Sequence, residues 1–423
     1  MGSTPVALEV APLVENLFGG VLPVAIRWWD GSITGDDATL ASIVVRSKDA
    51  LRRLLYSPDE LGFARSYVAG DIDIEGDVFQ ALSVRDLLGA PESHVEIKLN
   101  ARSRLSLLRA ARSVGALGRP LPPPPEEARL RGPLHSRERD AQAVSHHYDV
   151  SNDFYRLVLG PTMTYSCAYF ETPETSLEDA QAAKYDLICR KLGLRPGMRL
   201  LDVGCGWGGM LLHAVSNYGV RAVGITLSRP QADLAAKRVA EEGLAETAEV
   251  RVQDYRDVDD GPFDAISSIG MFEHVGLKRL KGYFGSLHRL LAPGGRLLNH
   301  AISRPGGGAG FDKRSFVSRY VFPDGELLEV GRVVSAMQEQ GAEVRDVESL
   351  REHYALTLRR WVANLEGSWD QARGLAGDAR ARIWRLYMAG SALGFEAGRI
   401  NVHQVLGVKA DGALSRMPLR RRT

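Results

Sequence analysis

The sequence has little cysteine and no surplus of charge of either sign. Its 423 residues include three cysteines, Cys167, Cys189 and Cys205, which are too few and too irregularly spaced for a disulfide framework or a zinc site. The 53 basic and 52 acidic residues nearly cancel, so the chain lacks the overall positive charge that attracts a protein to nucleic acid. We therefore expect no metal centre and no nucleic-acid partner.

Long apolar runs are also missing. No uninterrupted apolar stretch reaches the roughly 20 residues that a membrane-spanning helix needs. The first residues lack the basic start and apolar segment of a signal peptide. The sequence therefore predicts a cytoplasmic protein, and any contact with the membrane would be peripheral, at its inner face.

The length of the chain favours two domains, because single cores rarely grow so large. Residues 1–119 are predicted to form a small α+β domain: a strand–turn–strand pattern over 24–34 precedes a capped apolar helix that starts near Ser47. The proline-rich run that follows cannot form the interior of a helix or strand. We predict a linker over 120–140 and a larger second domain over 141–423.

Basic residues cluster ahead of the proline run. Arginines outnumber acidic residues between Lys98 and Arg139, and a helical pattern runs over 97–119. One face of this helix would carry Leu99, Leu107, Ala110, Val114 and Leu117, and the other Arg102, Arg109, Arg112 and Arg119 with Leu105 and Leu108. Two interpretations stay open: the helix packs on its own domain, or it lies on an anionic membrane surface.

From about residue 140 the pattern alternates between strands and helices, which is typical of a doubly wound, Rossmann-like α/β sheet. The predicted strands are 199–203, 222–225, 249–252, 265–268 and 296–301, and the predicted helices follow Gly209, follow Ser228 and run from Leu277 to Leu291. Ligands of such sheets bind at the carboxyl ends of the strands. We therefore expect the site at the edge that carries Gly204, Thr226, Asp254, residues 270–273 and His300.

The first of these strands leads into a glycine loop, Asp202-Val203-Gly204-Cys205-Gly206-Trp207-Gly208. Glycines let the backbone approach a ligand closely, and the loop matches neither the Walker A pattern nor G-x-G-x-x-G. Its Asp-x-Gly-x-Gly-x-Gly form resembles the first motif of S-adenosylmethionine (SAM)-dependent methyltransferases. The second strand ends without the carboxylate that many of these enzymes use to hold the ribose, so Thr226 and Gln231 would take that role.

Further motifs flank the loop: HYDVSNDFY at 147–155, YSCAYF at 165–170, FEH at 272–274, NHAI at 299–302, FPDG at 322–325 and HYALTL at 353–358. Together they resemble the cyclopropane fatty acyl phospholipid synthase and mycolic acid cyclopropane synthase family, over about 141–410. Residues 1–119 resemble the additional lipid-facing domain of the phospholipid-acting members. The segment 384–396 is most similar to actinobacterial members that form methylene-branched chains such as 10-methylenestearate.

The resemblance implies an enzyme that transfers a one-carbon unit from SAM to the cis double bond of an unsaturated acyl chain, of the oleoyl type, within a phospholipid. It implies that the cofactor is bound by Tyr148, Tyr165, Ser166, Asp202, Gly204, Gly206, Gly208, Thr226, Gln231, Asp254 and Tyr255. It also implies a bound bicarbonate ion as the base, held by the catalytic residues Cys167, Glu273, His300, Ile302 and Tyr354.

Several alternatives stay open on the sequence alone. The product is a methylene-branched chain if a hydride shift precedes proton loss, and a cyclopropane if the ring closes first. A small-molecule O- or N-methyltransferase would share the fold and the cofactor, whereas a non-enzymatic lipid carrier would account for residues 1–119 alone. A membrane phospholipid is the expected partner, and the resemblance also allows a homodimer and a downstream reductase.

Overall fold

The structure is a computed structural model, and it describes residues 5–17, 22–87, 101–129, 139, 142, 150–307 and 314–419. Three parts of the sequence-based interpretation lie outside these residues: Tyr148, the start of the predicted amphipathic helix and most of 130–149.

Helices and strands follow one another through most of the described chain. The helices are α1 (Val6–Leu17), α2 (Lys48–Tyr56), α3 (Glu60–Val68), α4 (Val78–Leu87), α5 (Ala101–Ser113), α6 (Asn152–Leu159), α7 (Leu177–Leu192), α8 (Gly209–Tyr218), α9 (Arg229–Glu241), α10 (Leu280–Leu290), α11 (Phe316–Tyr320), α12 (Val330–Glu339), α13 (Arg351–Gly367), α14 (Trp369–Ala376) and α15 (Asp378–Glu396). The strands are β1 (Ala25–Arg27), β2 (Ile33–Thr34), β3 (Ala41–Val45), β4 (Ile72–Gly76), β5 (Arg199–Val203), β6 (Arg221–Thr226), β7 (Ala248–Val252), β8 (Phe263–Ile269), β9 (Leu291–Arg304), β10 (Leu328–Glu329), β11 (Ala342–Ser349) and β12 (Asn401–Lys409). Short 3₁₀ turns cover Tyr255–Asp257, Phe272–His274 and Leu277–Arg279.

The chain forms two compact units. The first gathers the described residues of 1–129, 311–323 and 369–393, and the second gathers those of 130–310, 324–368 and 394–423. The domain boundaries drawn from the sequence stay a prediction. None of the described helices combines the length and apolar character needed to cross a membrane.

The first unit contains a four-stranded sheet in the order β2-β1-β3-β4. The predicted strand–turn–strand is confirmed, because Gly31 N–H donates to the Trp28 carbonyl (2.9 Å) and closes the turn between β1 and β2. The predicted start of α2 is confirmed as well, since the Ser47 hydroxyl accepts from the Asp49 amide. Local sequence chemistry is sufficient to form both features.

Helix α5 is shorter at its C-terminal end than the sequence predicted. It ends at Ser113 rather than at residue 119, because Gly115 adopts a left-handed φ of +68° and the Ala116 amide turns back to the Ala111 carbonyl (2.7 Å). Ala110 and Ala111 are buried, and Ala110 joins the core of this unit. The helix therefore packs on its own unit, which was the first of the two interpretations.

The described part of the predicted linker also packs on the first unit. Arg53 Nη1 donates to the Pro122 carbonyl (2.8 Å), and the Tyr56 hydroxyl donates to the Gly118 carbonyl (2.7 Å). Two nitrogens of Arg65 donate to the buried carboxylate of Glu127, each at 2.9 Å. Residues 118–127 are thus held by hydrogen bonds along this surface.

The second unit contains an eight-stranded sheet in the order β11-β12-β9-β8-β5-β6-β7, with β10 paired beside β9. Strands β5 to β9 are parallel to their neighbours among themselves, whereas β12 is antiparallel to β9 and β11. The chain runs outward from β5 through β6 to β7, and then returns to β8 on the other side of β5. This reversal of strand order confirms the predicted doubly wound fold and places a ligand crevice at the end of β5.

Apolar side chains cover both faces of this sheet. Neighbouring residues point to opposite faces, so Leu200 joins one buried cluster and Leu201 the other, and Ala265 and Ile266 separate in the same way. A parallel strand covered on both faces needs apolar residues at successive positions. This requirement explains the continuous apolar runs from which the strands were predicted.

Strand β9 differs from its prediction at both ends. Helix α10 ends at Leu290 and β9 begins at once, so Pro293-Gly294-Gly295 lies inside the strand, where the register with β8 jumps from Phe263↔Leu291 to Ala265↔Arg296. The strand then continues to Arg304, because β12 pairs with it from Arg296 to Ser303. His300 therefore lies within the strand, not at its end.

The ion pair of Glu127 gives a stability prediction for the first unit. Glu127→Ala leaves the partly buried Arg65 without its carboxylate, and we expect the free energy of unfolding to fall by about 2 kcal/mol in urea denaturation. Asp37→Ala removes a partner from the exposed Arg27 pair and is the matched control, with an expected loss below about 0.5 kcal/mol. Equal losses in the two variants would contradict the role of Glu127.

Candidate active site

The glycine loop follows β5 at the crevice. Gly204, Gly206 and Gly208 have left-handed φ values of +77°, +54° and +83°, which favour glycine over residues with a side chain. The amides of Gly204 and Cys205 both donate to the Ile225 carbonyl of β6 (2.9 and 3.0 Å), and this contact fixes the loop against the sheet. A Cβ at Gly206 would meet no described atom within 4 Å, so the loop backbone borders open space.

A pocket opens beside this loop, and most of the predicted cofactor residues line it. They are Tyr165, Ser166, Asp202, Gly204, Gly206, Thr226, Gln231, Asp254 and Tyr255. Gly208 lies outside the lining: it precedes α8, and a Cβ there would approach Ala235 Cβ to 3.2 Å, so its absence of a side chain serves helix packing. Tyr148 lies outside the described residues.

Thr226 and Gln231 form one hydrogen-bonded unit at the end of β6. The Thr226 hydroxyl donates to Gln231 Oε1 (3.0 Å) and accepts from the Ser228 amide (3.2 Å). With Oε1 occupied in this way, the Gln231 NH₂ group can donate into the pocket. Ribose hydroxyls can accept such hydrogen bonds, and the ribose role assigned to Thr226 and Gln231 from the sequence stays a prediction.

Asp254 is engaged more heavily than the sequence suggested. Its carboxylate accepts from the Arg256 amide (2.9 Å), from Arg256 Nε (2.7 Å) and from Arg256 Nη2 (2.5 Å). The residue thereby caps the 3₁₀ turn Tyr255–Asp257. To bind the edge of an adenine ring, the Asp254 carboxylate would have to accept a further hydrogen bond beyond the three from Arg256.

Aromatic rings surround Tyr165 on one side of the pocket. Its ring stacks on Trp361 with centroids 5.3 Å apart, and Tyr155 packs between Tyr165 (6.0 Å) and Trp207 (4.8 Å). Aromatic faces attract cations. A sulfonium bound beside Tyr165 would therefore be stabilised by the ring that the neighbouring aromatics hold in place.

Lys184 lines the same pocket and was missed by the sequence analysis. Its ammonium is fully buried and donates to Ser166 Oγ (2.8 Å), and burial lowers its pKa to about 7. Burial also raises the pKa of Asp202 to about 6, although Asp202 accepts a hydrogen bond from Ser267 Oγ (2.7 Å). A sequence signal existed, because Lys184 occupies the same helical face as the buried Ala180 and Ile188.

Glu273 follows β8 in the Phe272–His274 turn. Its Oε1 accepts from the Ile302 amide of β9 (2.7 Å), whereas its buried Oε2 has no hydrogen-bond partner among the described residues. Burial raises the pKa of this carboxyl to about 7. Because Oε1 faces an N–H donor, a proton bound by Glu273 resides on Oε2.

His300 lies in β9, two residues before Ile302. It is 2 % exposed, and burial lowers its pKa well below 6.5, so the ring is neutral at physiological pH. Its Nε2 is buried and has no hydrogen-bond partner among the described residues. Glu273 and His300 thus each keep one unsatisfied polar atom, which is costly unless a ligand satisfies it.

Cys167 and Tyr354 are linked through the carbonyl of Leu350. The Cys167 thiol lies 3.7 Å from this oxygen and 3.2 Å from the Ala168 carbonyl, and the Tyr354 amide donates to the same Leu350 carbonyl (3.1 Å). Burial raises the pKa of Cys167, so it stays a thiol. The Leu350 amide donates to Val402 of β12, which pairs with Ile302. Backbone contacts therefore connect both residues to the strand that carries Ile302, and the catalytic roles assigned from the sequence stay predictions.

The described residues contain no group of three or more metal-ligating side chains placed to hold a metal ion. What they contain is a glycine loop at a topological switch point and a pocket with acceptors and donors for an amino acid and a nucleoside. This fold and site define a class I SAM-dependent methyltransferase. A family model described as mycolic acid cyclopropane synthetase matches residues 135–405. The chain belongs to this family of SAM-dependent methyltransferases.

Three known proteins illustrate the similarity. A "Probable fatty acid methyltransferase" of Mycobacterium tuberculosis (strain ATCC 25618 / H37Rv) is 46% identical over 412 residues, which cover 96% of this chain and 95% of the relative. "Tuberculostearic acid methyltransferase UfaA1" of the same strain is 34% identical, over 95% of this chain and 92% of the relative. The crystal structure of mycolic acid cyclopropane synthase CmaA1 with SAH and CTAB matches with a TM-score of 0.60 and 39% identity, over 63% of this chain and 97% of CmaA1.

Lys184 is expected to support cofactor binding through Ser166. Lys184→Met removes the hydrogen bond that orients the Ser166 hydroxyl, and we expect SAM affinity in calorimetry to weaken by about tenfold, the equivalent of one charge-assisted hydrogen bond. Ser166→Ala should weaken it to a similar extent, and the double variant should be no weaker than either single one. Unchanged affinity in Lys184→Met, or full additivity, would refute this coupling.

Glu273 is expected to lower stability at alkaline pH. Its pKa is raised in the folded state, so its contribution to stability is most favourable below about pH 4.5 and is lost as the pH rises through about 7. Glu273→Gln keeps the acceptor for Ile302 and removes the charge, so we expect a gain in unfolding free energy of up to about 3 kcal/mol at pH 8 that shrinks towards pH 5. Glu339→Gln, in an exposed ion pair with Lys281, is the control. A pH-independent difference for Glu273→Gln would contradict the raised pKa.

Proposed function

We propose that this protein transfers a one-carbon unit to the cis double bond of an unsaturated acyl chain, of the oleoyl type, in a membrane phospholipid. Two observations support the proposal: a pocket suited to SAM and, outside the residues that line it, two buried polar atoms, Glu273 Oε2 and His300 Nε2, that lack partners among the described residues. Methylation of oxygen or nitrogen needs no such second site.

Bicarbonate fits these two groups. At neutral pH the Glu273 carboxyl is close to half protonated, with its proton on Oε2. A protonated Glu273 can donate its O–H to an oxyanion, and His300 presents its unpartnered ring nitrogen Nε2. The Cys167 thiol adds a weak donor. A second negative charge beside an ionised Glu273 would be unfavourable, so we expect the proton to be shared and the pair to titrate together.

The Ile302 amide has a different partner from the one that the sequence predicted. The sequence interpretation assigned it to bicarbonate, but in the structure it donates to Glu273 Oε1 (2.7 Å). We infer that it acts by fixing the carboxyl, which leaves Oε2 to the ligand. Because this amide already donates to Glu273, it could reach bicarbonate only through a hydrogen bond shared between the two acceptors.

The chemistry divides between cofactor, base and protein. Bound SAM would supply an electrophilic methyl group. The π electrons of the alkene would form the new C–C bond while the C–S bond breaks and S-adenosylhomocysteine leaves, so that positive charge remains on the acyl chain. The residues around the pocket hold the reactants in line, and the neutral His300 avoids adding positive charge next to the developing cation. Bicarbonate would supply the base and take up the proton lost from the transferred methyl group, and Glu273 would hold this ion through Oε2.

We propose a methylene-branched product such as a 10-methylenestearoyl chain. A 1,2-hydride shift in the first cation followed by loss of a proton from the transferred methyl group leaves an exocyclic methylene, whereas direct loss of that proton closes a cyclopropane. Support for the first path comes from the similarity to "Tuberculostearic acid methyltransferase UfaA1", which extends over 95% of this chain. Support for the second path comes from the similarity to mycolic acid cyclopropane synthase CmaA1, which extends over 63% of this chain.

We also propose that the enzyme reaches its substrate as a peripheral protein. Leu105, Leu108 and Leu117 are between 45% and 49% exposed, and Arg109 and Arg112 are exposed on the same segment. Apolar and basic side chains together suit an anionic phospholipid surface. A homodimer is a further proposal, as is a reductase that would convert a methylene group into a methyl branch.

One experiment tests the proposed function. Purified protein is incubated with SAM and dioleoyl phospholipid vesicles, and the released acyl chains are examined by proton NMR. We expect vinylidene protons, and in Glu273→Gln we expect turnover to fall at least 100-fold while SAM binding in calorimetry is retained. High-field cyclopropane protons would replace the methylene product by the cyclopropane alternative. Neither signal, with SAM still bound, would overturn the acyl-lipid substrate.

A further inference from the structure

We propose that Gln404 and Lys191 are positioning residues that fix the tautomer of His300, so that its proton sits on Nε2 and this nitrogen donates to the oxyanion in the site. The proposal rests on the function proposed above for the identity of the ligand. The tautomer itself follows from contacts within the second unit.

The orientation of the Gln404 amide is determined by Lys191. Lys191 Nζ lies 2.8 Å from Gln404 Oε1, and an ammonium group has donors only. The carbonyl oxygen of Gln404 must therefore face Lys191. The NH₂ group then faces the other way, where Gln404 Nε2 lies 3.2 Å from His300 Nδ1.

The orientation of Gln404 in turn determines the state of His300. An amide nitrogen can only donate, so Nδ1 must accept and carries no proton. A neutral imidazole has its one proton on the other nitrogen, and burial lowers the pKa of His300 so far that the ring is not doubly protonated. The buried Nε2, which has no partner among the described residues, is therefore an N–H donor.

The contacts are held by the fold. His300 and Gln404 are direct cross-strand partners in the antiparallel pair β9–β12, so their side chains leave the sheet on the same face. Lys191 near the end of α7 is 7% exposed and is itself paired with Asp346 (3.2 Å) and Glu348 of β11. These two carboxylates hold the Lys191 ammonium in place, and because an ammonium group has donors only, it cannot turn an acceptor towards Gln404.

The consequence is a site with matched donors. An Nε2–H and the Oε2–H of protonated Glu273 are both suited to a small oxyanion such as bicarbonate. With the opposite tautomer, Nε2 would present a lone pair and could not donate to the charged oxygens of that anion. Lys191 and Gln404 thus select the class of ligand without touching it.

The tautomer can be measured directly by ¹⁵N NMR of histidine-labelled protein, because protonated and unprotonated ring nitrogens give well-separated signals. The chain has ten histidines, so His300 is assigned by comparison with His300→Gln. We expect the wild-type signal of a protonated Nε2 and a bare Nδ1. A proton on Nδ1 in the wild-type protein would overturn the proposal, and this measurement needs no variant of Gln404.

Gln404→Glu should reverse the tautomer, since a carboxylate facing Nδ1 can only accept. We expect the proton to move to Nδ1 and turnover to fall about 100-fold, with SAM affinity within about twofold of wild type. Gln338→Glu makes the same chemical change on an exposed face of α12 and should alter neither quantity. An Nδ1 that still carries no proton in Gln404→Glu would refute the role of Gln404.

A bicarbonate titration of the wild-type protein separates this inference from the proposed function. A shift of the His300 Nε2 signal with bicarbonate supports both. If the tautomer is as stated but bicarbonate leaves the signal unchanged, the proposed base fails while the role of Gln404 and Lys191 stands. If turnover on oleoyl phospholipid is established but Nδ1 carries the proton, the proposed function stands while the role of Gln404 and Lys191 fails.

Discussion

The site depends on one constraint, the parallel pairing of β5 with both β6 and β8. This pairing aligns Val203 with Ile225 and with Ser268, so three strand ends arrive at one edge of the sheet. The glycine loop can then hydrogen bond to Ile225, Thr226 can meet Gln231, and the Phe272–His274 turn can bring Glu273 to the Ile302 amide. Without the reversal of strand order at β5 there would be no crevice for a cofactor between these groups.

Burial then gives the polar groups their chemical character. It raises the pKa of Glu273 and of Asp202 and lowers that of Lys184 and His300, because a low-dielectric environment disfavours the charged form of every group. Near pH 7, Glu273 and Lys184 are thereby close to half charged and His300 is neutral, whereas Asp202 keeps most of its charge. A reaction that generates a cation on an apolar chain is served by such a setting, since few fixed charges compete with the dipoles aimed at the reacting atoms.

The sequence was sufficient to predict the sheet and the loop, because both are encoded by local periodicity and by glycines next to strand ends. It was also sufficient to place Thr226, Gln231 and Ser166 at the pocket. It could not reveal that Ile302 donates to Glu273 or that Asp254 is held by Arg256, since these depend on side-chain geometry.

Lys184 and Gln404 were missed for a different reason: a lysine in a helix and a glutamine in a strand normally face solvent, and only long-range packing buries these two. The length of β9 was likewise set by its pairing with β12, which lies about a hundred residues further along the chain.

The composition of the first unit has a consequence for how the protein is made. That unit includes residues 369–393 together with 1–129, and within it Arg382 pairs with Asp73 (3.0 Å) while Arg385 donates to the Ile74 carbonyl (3.0 Å). When the ribosome has finished β4, the residues that complete its polar contacts are still about 300 codons away. The amino-terminal segment therefore cannot form these contacts until most of the chain has been translated, and its polar groups at β4 depend on water until then.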